Sequence, residues 1–114
     1  MEITYEKQGL VTVAKLTERR LDAAMAVRFK DAMRPIADQV DGRMVLNLGN
    51  VEFMDSSGLG ALVALMKYLG PERPLDLASL QPMVDKVFRL TRMDGVFSIY
   101  KTVDQALSVE AKTA

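Results

Sequence analysis

The sequence predicts an α/β fold with a mixed, mostly parallel sheet. Three observations support this: the chain has 114 residues, 49% of them are hydrophobic and 26% charged, and short apolar runs alternate with stretches of helical periodicity. This length supplies material for one hydrophobic core. The alternation is typical of right-handed strand–helix–strand crossovers. We therefore expect one domain over residues 1–114, with helices packed on the sheet and the element order ββαβαβαβα.

The N-terminal segment predicts an antiparallel β-hairpin followed by a helix. Residues 3–7 alternate in polarity, Gln8 and Gly9 supply a turn, and residues 10–16 contain a β-branched run. Asp22 then stands where a helix N-cap is expected. Because apolar residues recur at near-helical spacing after it, we expect the first helix at about 23–38.

Two further strand–helix units follow. Residues 44–48 are an apolar run compatible with a strand buried on both faces. After a glycine-containing loop, residues 51–54 lead into the tetrapeptide Asp55-Ser56-Ser57-Gly58 and a helix to about Leu69. Residues 75–78 form the next predicted strand.

The C-terminal third continues the alternation. Pro82 suits the first turn of a helix that runs to about Thr91. Residues 97–100 predict a last short strand, and Thr102 opens a C-terminal helix that we expect to fray before Ala114.

The composition excludes several classes of function. The chain has no Cys and no His, which removes disulfides, thiolate nucleophiles, Ser-His catalysis and the usual zinc ligands. Fifteen Lys and Arg balance fifteen Asp and Glu, so no basic field favours nucleic acid. The longest apolar stretch, 59–69, is short of the roughly 20 residues of a membrane span, and no export signal is recognisable. We expect a cytoplasmic protein with no direct nucleic-acid contact and no membrane insertion.

The tetrapeptide at residues 55–58 is the segment that carries chemistry. Three of its side chains can accept hydrogen bonds from the first N–H groups of the helix, so one interpretation is a capped helix start. In the other interpretation, a phosphate on one of the serines would meet unpaired backbone N–H groups and the positive end of the helix dipole. The serine would then be a reversible switch.

The run LNLGNVEFMDSSGLGALVALMKYLG resembles the signature of the anti-sigma factor antagonists of the STAS superfamily. In that family an apolar strand, a short loop, a DSSG-type tetrapeptide and an apolar helix occur in this order. The hairpin, the LDAA segment at residues 21–24 and the run FRLTRMDGVFSIYKTVDQAL also have counterparts, so the resemblance covers almost the whole chain. It implies a single STAS domain over residues 1–114.

The resemblance implies that Ser56 is the phosphoacceptor and that Asp22 lies on the same partner-binding face. A helical wheel alone favours Ser57 as the exposed serine, but residues at a cap do not have helical dihedrals, so we follow the resemblance. Met54 and Leu59 flank the tetrapeptide. Burial is the commoner state for apolar residues of this kind, although either would serve a partner if exposed. The remaining predicted partner-binding residues are Met54, Asp55, Ser57, Gly58 and Leu59.

The implied mechanism is partner switching. The unphosphorylated protein binds an anti-sigma factor that is also a serine kinase of the GHKL type, and the sigma factor is released. Phosphorylation of Ser56 ends that binding, and a separate metal-dependent serine phosphatase reverses it. The resemblance implies no cofactor or metal, and without His or Cys as a base we expect no enzyme built on Ser56. The alternative is a small cytoplasmic STAS subunit of a lipid-transport ABC complex.

One of two departures from the family pattern lies just before the LD pair. Family members often have a glycine-containing turn before the LD pair, whereas this chain has Glu18-Arg19-Arg20. The departure places two cations close to the predicted docking surface. We therefore expect them to affect which partner binds.

Overall fold

The computed structural model describes residues 1–109, which form a five-stranded sheet, a separate two-stranded sheet and four α-helices. The elements are β1 Ile3–Gln8, β2 Val11–Leu16, β3 Arg20–Leu21, α1 Ala23–Ala37, β4 Arg43–Asn47, β5 Phe53–Met54, α2 Ser56–Leu69, β6 Leu75–Ala78, α3 Pro82–Leu90, β7 Ile99–Tyr100 and α4 Val103–Ser108. The large sheet has the order β1-β2-β4-β6-β7, in which only the β1–β2 pair is antiparallel. The predicted α/β class, with its hairpin and mostly parallel sheet, is confirmed.

The main core lies between one face of the large sheet and the helices α1, α2 and α3. Its fully buried side chains include Phe29, Leu46, Leu62 and Phe88. Burying each side chain of this size stabilises the fold by about 1.5–3 kcal/mol. On the opposite face, α4 packs against β4, β6 and β7 through a smaller apolar cluster around Ala106. The Ser56 end of α2 therefore belongs to the helical layer above the main core.

Two strands were not predicted. The short strands β3 and β5 pair with each other in parallel and stand apart from the large sheet. A strand of two residues shows no alternation of polarity, so its existence depends on a tertiary pairing that the local sequence does not display. These two strands are the elements that bring the predicted site together.

Some predicted strand boundaries also differ. Leu10 belongs to the hairpin turn, where Gly9 has a φ of 68°, a backbone conformation that glycine adopts readily. The last strand begins at Ile99, because Phe97 is buried edge-on against Phe88 with ring centroids 6.0 Å apart. The expected fraying before Ala114 falls outside the described residues.

In residues 1–109, no helix is both long enough and apolar enough to cross a bilayer.

Candidate functional site

The site is built where β3 and β5 end side by side. Their register pairs Arg20 with Phe53 and Leu21 with Met54. Asp55, the residue that follows β5, donates its backbone N–H to the carbonyl oxygen of Leu21 over 3.4 Å. Asp22 and Asp55 follow the two paired strands and cap α1 and α2. The structure thus brings Asp22 and the Asp55–Gly58 tetrapeptide to one edge, as the resemblance implies.

Asp55 is the N-cap of α2. Its Oδ1 atom accepts the backbone N–H of Ser57 at 2.9 Å and that of Gly58 at 3.0 Å. The expectation that a phosphate would find unpaired N–H groups here is therefore wrong for these two groups, since the Asp55 carboxylate already occupies them. A phosphate on Ser56 would lie next to that carboxylate.

Both serines of the tetrapeptide are exposed, and Ser56 is the first residue of α2. Within the described chain, neither hydroxyl forms a hydrogen bond with another residue. Burial and hydrogen bonding therefore do not distinguish the two serines. Ser56 as the acceptor stays a prediction, and Ser57 contributes its backbone N–H to the cap.

Gly58 is the point of closest approach between α2 and β3. A Cβ atom placed on Gly58 would lie only 2.1 Å from the carbonyl oxygen of Leu21, a distance that no side chain tolerates. Met54 and Leu59 are buried, with exposures of 3% and 8%. The alternative that either is exposed for a partner is therefore wrong, and both residues support residues 55–58, which we call the Ser56 loop, from the core side.

Asp22 has two roles in the structure. Its Oδ1 atom accepts the backbone N–H of Met25 at 3.2 Å, and its Oδ2 atom lies 3.3 Å from Nε of Arg20. The pKa of Asp22 is lowered, mainly because the Met25 N–H stabilises the carboxylate; desolvation opposes this, and Arg20 adds to the lowering. Asp22 is a capping residue, as predicted, and presents a negative charge beside the Ser56 loop.

The two cations before Asp22 are each matched by a neighbouring group. Arg19 lies 3.8 Å from a carboxylate oxygen of Glu52, and Arg20 contacts Asp22 while its guanidinium stacks 4.4 Å from the ring centre of Phe53. Arg19 and Arg20 therefore do not form an uncompensated basic patch on the predicted docking surface. Sequence reasoning missed Glu52 and Phe53, because their place at the site depends on the β3–β5 pairing.

The described part of the chain offers no group of three or more acidic side chains arranged to hold a metal ion. The fold and the site define a small α/β domain in which two capped helix starts lie side by side and expose a free serine hydroxyl.

Comparison with known proteins gives this class its family. Residues 2–106 match the STAS domain family, and the chain belongs to it. A STAS-domain containing protein of Pseudomonas aeruginosa strain UCBPP-PA14 is 32% identical over 99 residues, which cover 86% of this chain and 87% of that protein.

Two further relatives are described as anti-sigma factor antagonists. BtrV of Bordetella bronchiseptica, a candidate member of that class, is 26% identical over 115 residues, with 100% of this chain and 97% of BtrV covered. The crystal structure of an anti-sigma factor antagonist from Mycobacterium paratuberculosis superimposes with a TM-score of 0.83 at 28% identity, covering 95% of this chain and 93% of that one.

Proposed function

We propose that this STAS domain is an anti-sigma factor antagonist and that phosphorylation of Ser56 switches its binding off. The observation that carries the proposal is the pair of exposed, unbonded serine hydroxyls at the start of α2, of which the resemblance to the STAS antagonists selects Ser56. The neighbouring Asp22 supplies a charged contact on the same edge. The similarity to two proteins described as anti-sigma factor antagonists supports the same function.

The local charges explain why modification would release a partner. Phosphorylation adds a charge of about −1.5 to −2 at neutral pH. The Asp55 carboxylate lies at the adjacent residue and already accepts the N–H groups of Ser57 and Gly58, so the helix start offers the phosphate few free donors. In an interface packed around a neutral hydroxyl, the new charge adds repulsion and a desolvation cost. Release follows without any change of fold.

The chain takes part in this cycle as ligand and as substrate. A partner of the GHKL type transfers the γ-phosphoryl group of ATP to Oγ of Ser56, the hydroxyl proton leaves, and ADP is the second product. A separate metal-dependent serine phosphatase returns the serine by attack of water on phosphorus, with release of inorganic phosphate. Both reactions are assigned to partner proteins because this chain has no His or Cys to serve as a base.

A labelling experiment tests the acceptor. The protein is incubated with ATP, Mg²⁺ and each GHKL-type serine kinase of its source organism in turn, and intact mass spectrometry counts the phosphoryl groups. We expect wild type and Ser57→Ala to gain one group and Ser56→Ala to gain none. Labelling of Ser56→Ala to the wild-type extent would move the acceptor to another residue, and loss of labelling in Ser57→Ala alone would identify Ser57.

A further inference from the structure

A shallow crease lies between α1 and α2 and extends from the Ser56 loop along both helices. Both helices start at neighbouring caps and pack against each other, so the crease begins at the predicted site. Its far half is a cavity of about 120 Å³. This cavity has an apolar floor and a cationic rim, with lining residues that include Phe29, Met33, Ala61, Leu65, Lys30 and Arg34.

The crease has the length of a short helix. On α1, one exposed stripe at helical spacing consists of Ala23, Val27, Lys30 and Arg34, of which Lys30 and Arg34 line the cavity. From the cap to Arg34 the helix rises by about 18 Å at 1.5 Å per residue. A partner helix of about three turns would therefore span the crease from the Ser56 loop to its far end.

An arginine–aromatic stack stands at each end of the crease. Near the Ser56 loop, Arg20 stacks on the ring of Phe53. At the far end, the guanidinium of Arg34 on α1 lies 5.0 Å from the ring centre of Tyr68 on α2. The hydroxyl of Tyr68 donates to the Asp38 carboxylate, which raises the pKa of Tyr68 and holds the ring in place. Ordered arginine and tyrosine side chains are typical of the residues that dominate protein interfaces.

The charges of the two ends differ. Near Ser56, Arg19 and Arg20 are each paired with a carboxylate. At the far end, Lys30 and Arg34 form no ion pair with any residue in the range 1–109. A partner that lies along the crease can pair carboxylates with these two cations, because the nearby Asp38 carboxylate bonds to Tyr68 and forms no ion pair with them.

We infer that the crease between α1 and α2 binds an α-helix of the anti-sigma partner, with acidic side chains of that helix at Lys30 and Arg34. The inference rests on the proposed function and extends the partner surface from Ser56 along both helices. The apolar face of the partner helix fills the cavity above Phe29 and Leu65. The position of the two cations fixes the direction in which the acidic end points.

Affinity measurements with matched variants test this inference. The probe is the kinase that phosphorylates Ser56, titrated calorimetrically into wild type and Lys30→Glu/Arg34→Glu. We expect the double variant to bind about tenfold or more weakly, as loss of two charged contacts implies. The control Arg28→Glu/Lys86→Glu makes the same change of net charge at exposed positions outside the cavity lining and should bind like wild type.

A second variant separates shape from charge. Ala64→Trp fills the crease without changing the charge, and we expect a comparable loss of affinity. Thermal melts establish that each variant is folded, and Lys30→Gln/Arg34→Gln replaces the charge-reversed pair if that pair does not fold. Wild-type affinity in the folded crease variants, with wild type bound and labelled, would overturn this inference alone. Absence of both binding and labelling in wild type would overturn the proposed function and this inference with it.

Discussion

The starts of α1 and α2 lie side by side and follow one plan, yet they differ in how their caps are used. Each helix follows a short paired strand and is capped by an aspartate. Asp22 accepts one side-chain cap bond and shares its other oxygen with Arg20. Asp55 accepts two N–H groups with one oxygen and, among the residues described, forms no ion pair. The cap of α1 therefore also takes part in an ion pair with Arg20, whereas the cap of α2 contacts only backbone N–H groups.

The third residue after each cap shows the steric side of the same difference. It is Met25 in α1, which packs against the core, and Gly58 in α2, which touches the backbone of Leu21. The fold therefore requires the glycine of the tetrapeptide. It does not require the hydroxyl of Ser56, which bonds to no described residue, so this group is available for function.

The largest expected effect is on the glycine contact. Gly58→Ala places a methyl group against the Leu21 carbonyl and should lower the free energy of unfolding by about 1–3 kcal/mol or more, as overpacking does. Gly60→Ala is the matched control, because a Cβ there meets no atom within 4 Å. The control should keep or raise stability, by up to about 1 kcal/mol. Urea unfolding measures both variants, and equal stabilities would contradict the close contact between Gly58 and the Leu21 carbonyl.

The cap of α2 gives the next effect. Asp55→Ala leaves the N–H groups of Ser57 and Gly58 without their acceptor and should cost about 0.5–2 kcal/mol of unfolding free energy. Asp55→Asn keeps an acceptor oxygen and should retain most of the stability. Thermal or urea unfolding compares the two. An asparagine variant as unstable as the alanine variant would mean that charge, and not the cap bond, fixes this helix start.

The cap of α1 should show a pH dependence. Because the pKa of Asp22 is lowered in the folded protein, folding favours its ionised form. Its contribution is complete above the unfolded pKa, about 3.9, and is lost as the pH falls through that value and the lower folded one. The stability difference between wild type and Asp22→Asn should therefore be largest near neutral pH and shrink in acid. Melts recorded across this range test it, and a constant difference would contradict it.

The Asp22→Ala variant distinguishes a capping role of Asp22 from a docking role. Loss of the cap alone in Asp22→Ala lowers the melting temperature and leaves the affinity of the folded protein for the proposed kinase partner nearly unchanged. A docking role lowers that affinity and slows phosphorylation well below the melting temperature. We expect both effects, with the affinity loss the larger. Unchanged affinity and labelling would reduce Asp22 to a capping residue.

The regular elements could be predicted because their patterns are long. Fifteen residues of amphipathic spacing define α1, whose observed end at Ala37 lies one residue before the predicted one. The small strands β3 and β5 could not be predicted, since two residues carry no period. The stack of Arg20 on Phe53 was missed for the same reason, because those residues are 33 positions apart and meet only through that pairing.

The candidate site could be located from the sequence, but its electrostatics could not. Small and hydrogen-bonding residues before an apolar helix indicate a capped helix start, and this is what the structure contains. Which N–H groups remain free depends on the Asp55 rotamer. That rotamer uses the two donors expected for a phosphate. With these donors occupied, the site favours release of the partner by charge repulsion over stabilisation of the phosphate by the helix N-terminus.

The most direct test compares, by calorimetry, the affinities of the unmodified and the Ser56-phosphorylated protein for the proposed GHKL-type kinase. The phosphorylated protein should bind about tenfold or more weakly, because a dianion beside Asp55 opposes the interface. Thermal melts of the two forms should nearly coincide, since the Ser56 hydroxyl supports no other residue of the described chain. Equal affinities of two folded forms would contradict the claim that Ser56 is the switch.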